Sequence, residues 1–453
     1  MVDLIMNDIL GTPAILVGLF ALVGLLVQKK NSGDVVSGTL KTVMGFVILG
    51  AGANVLVQSL DKFSSMFDHA FAMEGVIPNN EAIVALAQES FGTETAMIML
   101  FGMIVNIGFA RFTPYKYIFL TGHHTMFMAC MIAVILRTGG MSGFHLVLLG
   151  SIILGAVMVL FPAMLQPYTR KITGSDDFAI GHFGSFGYLV SANVGKLVGK
   201  NSKSTEELKV PKSLGFLRDT SVAVSLTMVL LFFVVSAFAG PAFVEAELSD
   251  GQNFLVFAFM QGLTFAAGVY IILAGVRMLL GEIVPAFKGI ADKLVPNAKP
   301  ALDCPAIFPF ASNAVIIGFF FSFIAGLLSM FLLPLFGLKV IVPGLVPHFF
   351  TGAAAGVFGN STGGRKGAIF GSMANGFLIS FLPALLLPIL GTLGFQGTTF
   401  GDADFGVVGI VLGNIINLVQ SNLLITVIVL VILSLFFALG WKSMKKLENS
   451  EAA

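Results

Sequence analysis

Apolar runs separated by glycine, proline and clusters of charge recur along the whole chain, and their lengths set the first expectation. TPAILVGLFALVGLLVQ (12–28), MVLLFFVVSAFAG (228–240) and LLITVIVLVILSLFFALGW (423–441) approach or reach the length at which a helix crosses about 30 Å of hydrocarbon. With Gly, Pro and charge as punctuation, the pattern predicts eleven spans. They lie near 12–28, 37–59, 92–110, 117–136, 143–165, 220–240, 254–280, 311–335, 340–358, 367–390 and 421–441. Composition agrees: the chain is 56% hydrophobic and 11% charged, against roughly 45–50% and about 25% in soluble domains. It lacks the charge to cover a water-facing surface. The expected fold is an all-α polytopic membrane protein, and no nucleic-acid partner is expected.

Charge orients the spans. With the N-terminus outside, only Lys62, Arg137 and Lys339 of the 25 basic residues fall on the outer side, so the positive-inside bias predicts N-out, C-in. The outer segments GPAFVEAELSDGQ (240–252) and GDADF (401–405) carry acids and no bases. Asp3 and Asp8, with no positively charged n-region, argue against a cleavable signal peptide. The two cysteines, Cys130 and Cys304, sit in apolar contexts and suggest neither a disulfide framework nor a metal site; no cofactor is expected. The hydrophilic stretch 193–219 reads as a solvated cytoplasmic connector, or else as a hinge or a docking surface for an acidic partner.

Self-comparison adds an internal repeat. GFVILGAGANVL (45–56) reads like GVYIILAGVRML (268–279), VIPN (76–79) like LVPN (294–297), and TAMIMLF (95–101) like NAVIIGF (313–319). IFLTGHH (118–124) lies over HFFTGAA (348–354), GGMSG (139–143) over GGRKG (363–367), and FPAML (161–165) over FLPALL (381–386), while DFAIG (177–181) falls near DFGVV (404–408). The matches keep order at an offset of about 218–230 residues. Each unit holds five spans, an odd number, so the second copy enters the membrane inverted. That is the pattern of transporters that hold substrate near the midplane. The expected divisions are a first repeat over 1–192, the connector 193–219, a second repeat over 220–420, and a final span and tail over 421–453.

Ionisable groups at membrane depth are costly and therefore functional candidates. IPNNEAIVALAQ (77–88) breaks at Pro78, and Asn79, Asn80 and Glu81 open a stretch too short to cross. In the second copy, Pro300, Pro305 and Pro309 interrupt an apolar run around Asp303. Both read as re-entrant segments lining a cavity. His123 and His124 follow Thr121-Gly122, and His182 follows Gly181, each in an apolar context. A carboxylate with neutral imidazoles binds a hydroxyl-rich ligand and takes a proton from one hydroxyl. His145 and His348 read as helix-packing residues.

LTGHH (120–124), FAIGH (178–182), ALDCPAIFPFASNAVIIGF (301–319) and GVIPNNEAIVALAQ (75–88) resemble the signature segments of the ascorbate-type enzyme IIC of the bacterial phosphoenolpyruvate-dependent phosphotransferase system. The resemblance covers essentially the whole chain. It implies a homodimer in the bacterial inner membrane, each protomer with a V-shaped scaffold (spans 1, 2, 6 and 7) and a core domain that moves as an elevator. It also implies import of L-ascorbate or a related sugar acid or pentitol, with phosphoryl transfer from a separate phosphorylated IIB protein. The chain lacks the phosphorylatable Cys loop and His domain of IIB and IIA, so it would be the permease subunit. By the same likeness His123, His182 and Asp303 contact substrate, with the Asn80-Glu81 region closing the pocket; His124, next to His123, is a further substrate-binding candidate. Phe127 and Phe183 stand where the ascorbate carriers place amides, offering ring faces in place of hydrogen bonds. The rival expectation is a proton- or sodium-coupled transporter in which Glu81 and Asp303 are coupling carboxylates, and behind it a channel or receptor.

Overall fold

The computed structural model describes residues 13–71, 76–78, 80–208, 220–391, 398–419 and 421–451. The first half runs α1 (Pro13–Val27), α2 (Ser32–Phe71), β1 (Ile77–Pro78), α3 (Asn80–Phe112), β2 (Tyr117–Phe119), α4 (Gly122–Thr138), α5 (Gly143–Thr173), β3 (Ala179–Ile180) and α6 (Ser185–Val198). The second runs α7 (Thr220–Ala239), the single turn α8 (Pro241–Phe243), α9 (Phe254–Leu294), β4 (Lys299–Leu302), a 3-10 segment Cys304–Phe310, and α10 (Ser312–Leu332). It ends with α11 (Leu345–Gly391), β5 (Thr398–Thr399), α12 (Ala403–Leu418) and α13 (Asn422–Glu451). Among the described residues five helical stretches are long and apolar enough to cross a membrane: Phe91–Phe112, Gly143–Thr173, Ser312–Phe336, Val346–Leu390 and Asn422–Trp441. A sixth appears if Met228–Ala239 and Pro241–Leu248, bent by 101°, form one span. The protein is helical and polytopic.

Helices α1, α2, α7 and α9 pack on one another, while α6, α10 and α11 form a second group beside the α3–α5 pair, with α12 against α4 and α11. The outward faces carry large apolar side chains such as Leu230, Phe238, Phe331 and Leu435, which suits a hydrocarbon surround where burial between helices gains no hydrophobic driving force.

Two expectations change and one pair of runs needs a closer description. The apolar run 117–136 is not one helix: Tyr117, Ile118 and Phe119 leave as a strand, and the helix starts at Gly122. Runs 340–358 and 367–390 lie in two helices that meet within α11 at Gly364 (φ 56°), where the chain folds back so that a β-carbon at Gly359 would stand 2.2 Å from the Gly367 carbonyl oxygen. As a result Thr121-Gly122 opens α4 whereas Thr351-Gly352 lies inside α11, so that matched pair does not share local structure.

The connector also differs. Asn193–Val198 extend α6, and residues 199–208 lie across the break in α11 with Lys200, Lys203, Glu206 and Glu207 exposed. The amide of Arg365 donates to the Lys203 carbonyl (2.8 Å), and Glu206 Oε1 accepts from Asn313 N and Ala314 N (3.0 and 3.1 Å), capping α10 from a distant part of the chain. Residues 209–219 fall outside the described residues. A β-carbon at Gly364 would stand 2.4 Å from the carbonyl oxygens of both Ser202 and Lys203, at a φ that L-residues avoid. Gly364→Ala should therefore lower the melting temperature by an amount equivalent to more than about 1 kcal/mol, whereas Gly92→Ala, where nothing lies within 4 Å, should not.

Two small parallel sheets organise the interior. β4 lies between β2 and β3, and β1 pairs with β5 while Val76 bridges to Ile341. In the first sheet the middle strand comes from the second half and its flanks from the first; in the other the origins are exchanged. Non-helical backbone at membrane depth must find its hydrogen bonds inside the protein, and these ladders provide them.

Candidate functional site

The three strands of the first sheet end at one level and each hands on a polar side chain. Phe119 lies opposite Ala301, and Ala179 and Ile180 lie opposite Ala301 and Leu302. Beyond the strand ends, Leu120 N donates to the Ala301 carbonyl (3.0 Å) and Gly181 N to the Leu302 carbonyl (2.6 Å). Then come His123 in the first turn of α4, His182 after β3, and Asp303 directly after β4. Pro300 fits a middle strand because strand alternation points its nitrogen toward the β3 side, where β3 has not yet begun. Gly181 is required by close approach: a β-carbon there would stand 2.7 Å from the Ala301 oxygen.

The opposite end of β4 is tied by charge. Asp176 accepts from Gln166 Nε2 (2.6 Å), Arg170 Nε (2.8 Å) and Lys299 Nζ. Partial burial pushes the Asp176 carboxyl up, but these hydrogen bonds outweigh it and hold the group below its usual range. A depressed carboxylate stabilises the fold above its unfolded pKa and loses that contribution as pH falls through the folded value. Melting temperature should therefore drop as pH falls below about 4, and Asp176→Asn should flatten that drop. The group is 42% exposed, so the effect is small.

Between the strand ends, His123 Nε2 stands 3.8 Å from one Asp303 oxygen and His182 Nε2 stands 3.8 Å from the other. Asp303 Oδ1 also accepts from Cys304 N (2.7 Å), which caps the 3-10 segment and fixes the carboxylate. The tautomer of His182 is set by its surroundings: Gly184 N–H can only donate, and it points at Nδ1 (3.0 Å). In the neutral ring the proton then sits on Nε2, facing Asp303. Tyr188 lies behind, its hydroxyl 2.9 Å from the same Nδ1. Ser185 Oγ donates to the His182 carbonyl (2.7 Å).

The second sheet meets the first here. Asn80 Nδ2 donates to Asp402 Oδ2 (2.9 Å) and its oxygen accepts from Gly401 N (2.8 Å), so Asn80 staples the turn after β5. Asp402 Oδ2 stands 3.9 Å from His124 Nδ1, a buried nitrogen without a hydrogen-bond partner. The His124 and His182 rings lie 3.9 Å apart. One turn on, Asp404 accepts from Ser185 N and Phe186 N (2.9 and 2.7 Å) and its own amide donates to the Phe183 carbonyl (2.9 Å), capping α6 from α12.

The structure thus brings together His123, His124, His182, Asp303 and Asn80. The Phe127 ring meets His123 edge-on at 5.8 Å. Phe183 is fully buried among Phe119, Phe161 and Phe405 and packs behind the cluster. Glu81 opens α3 beside Asn80, but its side chain, like the whole of Asn79, lies outside the described residues. Asp402, Asp404 and Tyr188 were not foreseen. GDADF reads as an acidic outer segment, yet Asp402 and Asp404 are 4% and 0% exposed; the match of DFGVV to DFAIG is the sequence signal that points to them.

The overlapping groups His123–His124–Asp303, His124–His182–Asp402 and His182–Asp303–Cys304 each bring three donor atoms within 4.8 Å. A tetrahedral ion with bonds of about 2.0–2.1 Å needs donor pairs about 3.4 Å apart, and the imidazole–carboxylate pairs stand 3.8–3.9 Å apart. A hydroxyl oxygen about 2.8 Å from both partners closes at about 85° across that gap, narrower than the tetrahedral angle, so the cluster is an open polar site that accommodates a hydroxyl or a small ion. The exposed member is His123, at 18% of its side chain. The arrangement is suited to gripping hydroxyls and moving a proton.

Residues 8–404 match the family model described as PTS system sugar-specific permease component. The chain is 29% identical over 430 residues to the ascorbate-specific PTS system EIIC component of Mycoplasma pneumoniae, an alignment covering 82% of this chain. The chain spans 64% of that relative's length.

Proposed function

Because the chain belongs to the sugar-specific permease components of the phosphotransferase system, we propose that it imports L-ascorbate or a related sugar acid or pentitol, which a separate phosphorylated IIB protein phosphorylates on the cytoplasmic side. The observation that carries this reading is the convergence of His123, His182 and Asp303 at the ends of three in-register strands, with gaps of 3.8 Å that fit hydroxyl groups. His182, protonated on Nε2, donates to a substrate oxygen. Asp303 accepts from a hydroxyl, and His123 or Asp303 takes the proton of the attacking hydroxyl. In that step a P–O bond to substrate forms as the bond between phosphorus and the carrier's nucleophile breaks; the electron pair leaves with the nucleophile. Asn80 and His124 hold the far wall, with the Glu81 segment beside them, and Phe127 offers a ring edge. The substrate range includes relatives of ascorbate because Phe127 stands in place of a hydrogen-bonding amide beside His123.

We also read the fold as eleven spans in two inverted repeats, N-terminus outside and C-terminus in the cytoplasm of a bacterial cell. The repeat divisions are 1–192 and 220–420, with 193–219 between them and 421–453 after. The exchanged strand origins of the two sheets support this. So do Pro162 and Pro167 within α5, spaced as Pro383 and Pro388 are within α11. The mutual packing of α1, α2, α7 and α9 is what a homodimer's scaffold would need, with the remaining helices as an elevator core. The test is uptake of labelled ascorbate by vesicles loaded with phosphorylated or unphosphorylated IIB. Accumulation of ascorbate phosphate only with phosphorylated IIB is expected. Accumulation of free ascorbate on a proton or sodium gradient would replace this reading with the secondary-transporter one.

A further inference from the structure

A cavity of about 210 Å³ lies between α5, α12 and α13. Its walls present no polar atom; Val157 and Phe161 come from α5, Val408 and Leu412 from α12, and Val429 and Leu433 from α13. Polar contacts on either side of the cavity tie helix α13 to the rest of the protein. His145 Nε2 meets Thr426 Oγ1 at 3.0 Å, and the Tyr115 hydroxyl donates to the Phe437 carbonyl at 2.5 Å. These points lie about 16 Å apart along the helix, and the α13 residues lining the cavity fall between them. The helix is pinned on either side of the cavity.

A void of this kind forfeits dispersion contacts along its walls. Water is no remedy, since a buried water needs polar partners that the lining does not offer, whereas a dry apolar cavity of roughly 150 Å³ takes a benzene-sized guest. Val411 and Phe436 line the cavity and are 47% and 55% exposed, so the space opens on the surface that the bilayer covers. We infer that it is a binding site for one hydrocarbon chain of a membrane lipid, entering beside Val411 and Phe436. Phe161 and Phe186 also line it. Phe161 meets Phe183 edge-on at 6.1 Å, Phe183 meets His124 at 6.0 Å, and the Phe186 amide is held by Asp404, so the bound chain lies two aromatic rings behind the histidine cluster. This site is independent of which polar substrate the protein carries.

The experiment uses the full chain in phospholipid nanodiscs containing a phosphatidylglycerol with a diazirine in mid-chain, irradiated and analysed by peptide mass spectrometry. Adducts should concentrate on 153–164, 407–415 and 429–436 over the equally apolar outer face of α7. Val408→Phe, which fills the cavity, should cut them by about tenfold while labelling of α7 stays unchanged. Val157→Phe, from the opposite wall, is the second variant should the first not fold. Even labelling of all lipid-facing helices, or labelling indifferent to both fillings, overturns the inference. So does an intermolecular crosslink through Leu433→Cys, which would put a second copy's helix in the cleft.

Discussion

Asp303→Asn should leave the protein folded and inserted while weakening substrate binding by roughly 10–100-fold, the range that loss of a hydrogen bond to a charged group gives. Two consequences of the geometry separate binding from folding. The backbone contact that positions residue 303 is the acceptance of the Cys304 amide at 2.7 Å, and an asparagine oxygen performs it equally, since Asn caps as well as Asp. The carboxylate also lies between two imidazoles at 3.8 Å without a direct hydrogen bond to either, so its neutralisation breaks no existing contact there. A buried charge is removed, and the melting temperature should hold or rise. Isothermal titration of L-ascorbate and a thermal melt on the same preparation check both halves. His145→Gln is the control: His145 bonds Thr426 on a lipid-facing helix, and binding should be unchanged. Wild-type affinity in Asp303→Asn would remove that carboxylate from the site.

The sequence made the helices legible and left the strands hidden, for a physical reason. A span announces itself through some twenty apolar residues, whereas β2, β3 and β4 are two to four residues long and their period of two has no room to repeat. Their pairing also joins positions far apart in sequence: Phe119 and Ala179 each lie opposite Ala301. His123, His182 and Asp303 could still be picked out singly, because an ionisable group in an apolar run is costly wherever it sits. Their convergence could not be read, since it depends on strand register. Asp402 and Asp404 were misread for a related reason. Acids without bases next to a span resemble a water-facing loop, and only the amides of Ser185 and Phe186, more than two hundred residues away, show what the second of them is for. In the connector Glu206 is exposed, as its charge suggests, but its capping of α10 rests on amides more than a hundred residues away.

Asp404→Ala should be the most destabilising single change at the site, and its damage should reach substrate binding without direct contact. The carboxylate is fully buried and accepts two amides at the start of α6, Ser185 N and Phe186 N. Alanine leaves both donors without a partner in a dry interior, each costing about 1–3 kcal/mol, so a total loss of about 3–5 kcal/mol is expected, as for other broken buried networks. The same turn fixes His182, whose carbonyl accepts from Ser185 Oγ and whose Nδ1 accepts from Gly184 N. When the α6 end loosens, the Nε2 proton is no longer held toward Asp303. Asp404→Asn discriminates position from charge: its amide oxygen accepts one of the two donors while its NH₂ group opposes the other. It should therefore fall between wild type and Asp404→Ala both in melting temperature and in ascorbate affinity. A structural role confined to packing would lower the melting temperature and leave affinity unchanged in molecules that remain folded. Joint, graded loss of both is the outcome that ties Asp404 to the orientation of His182.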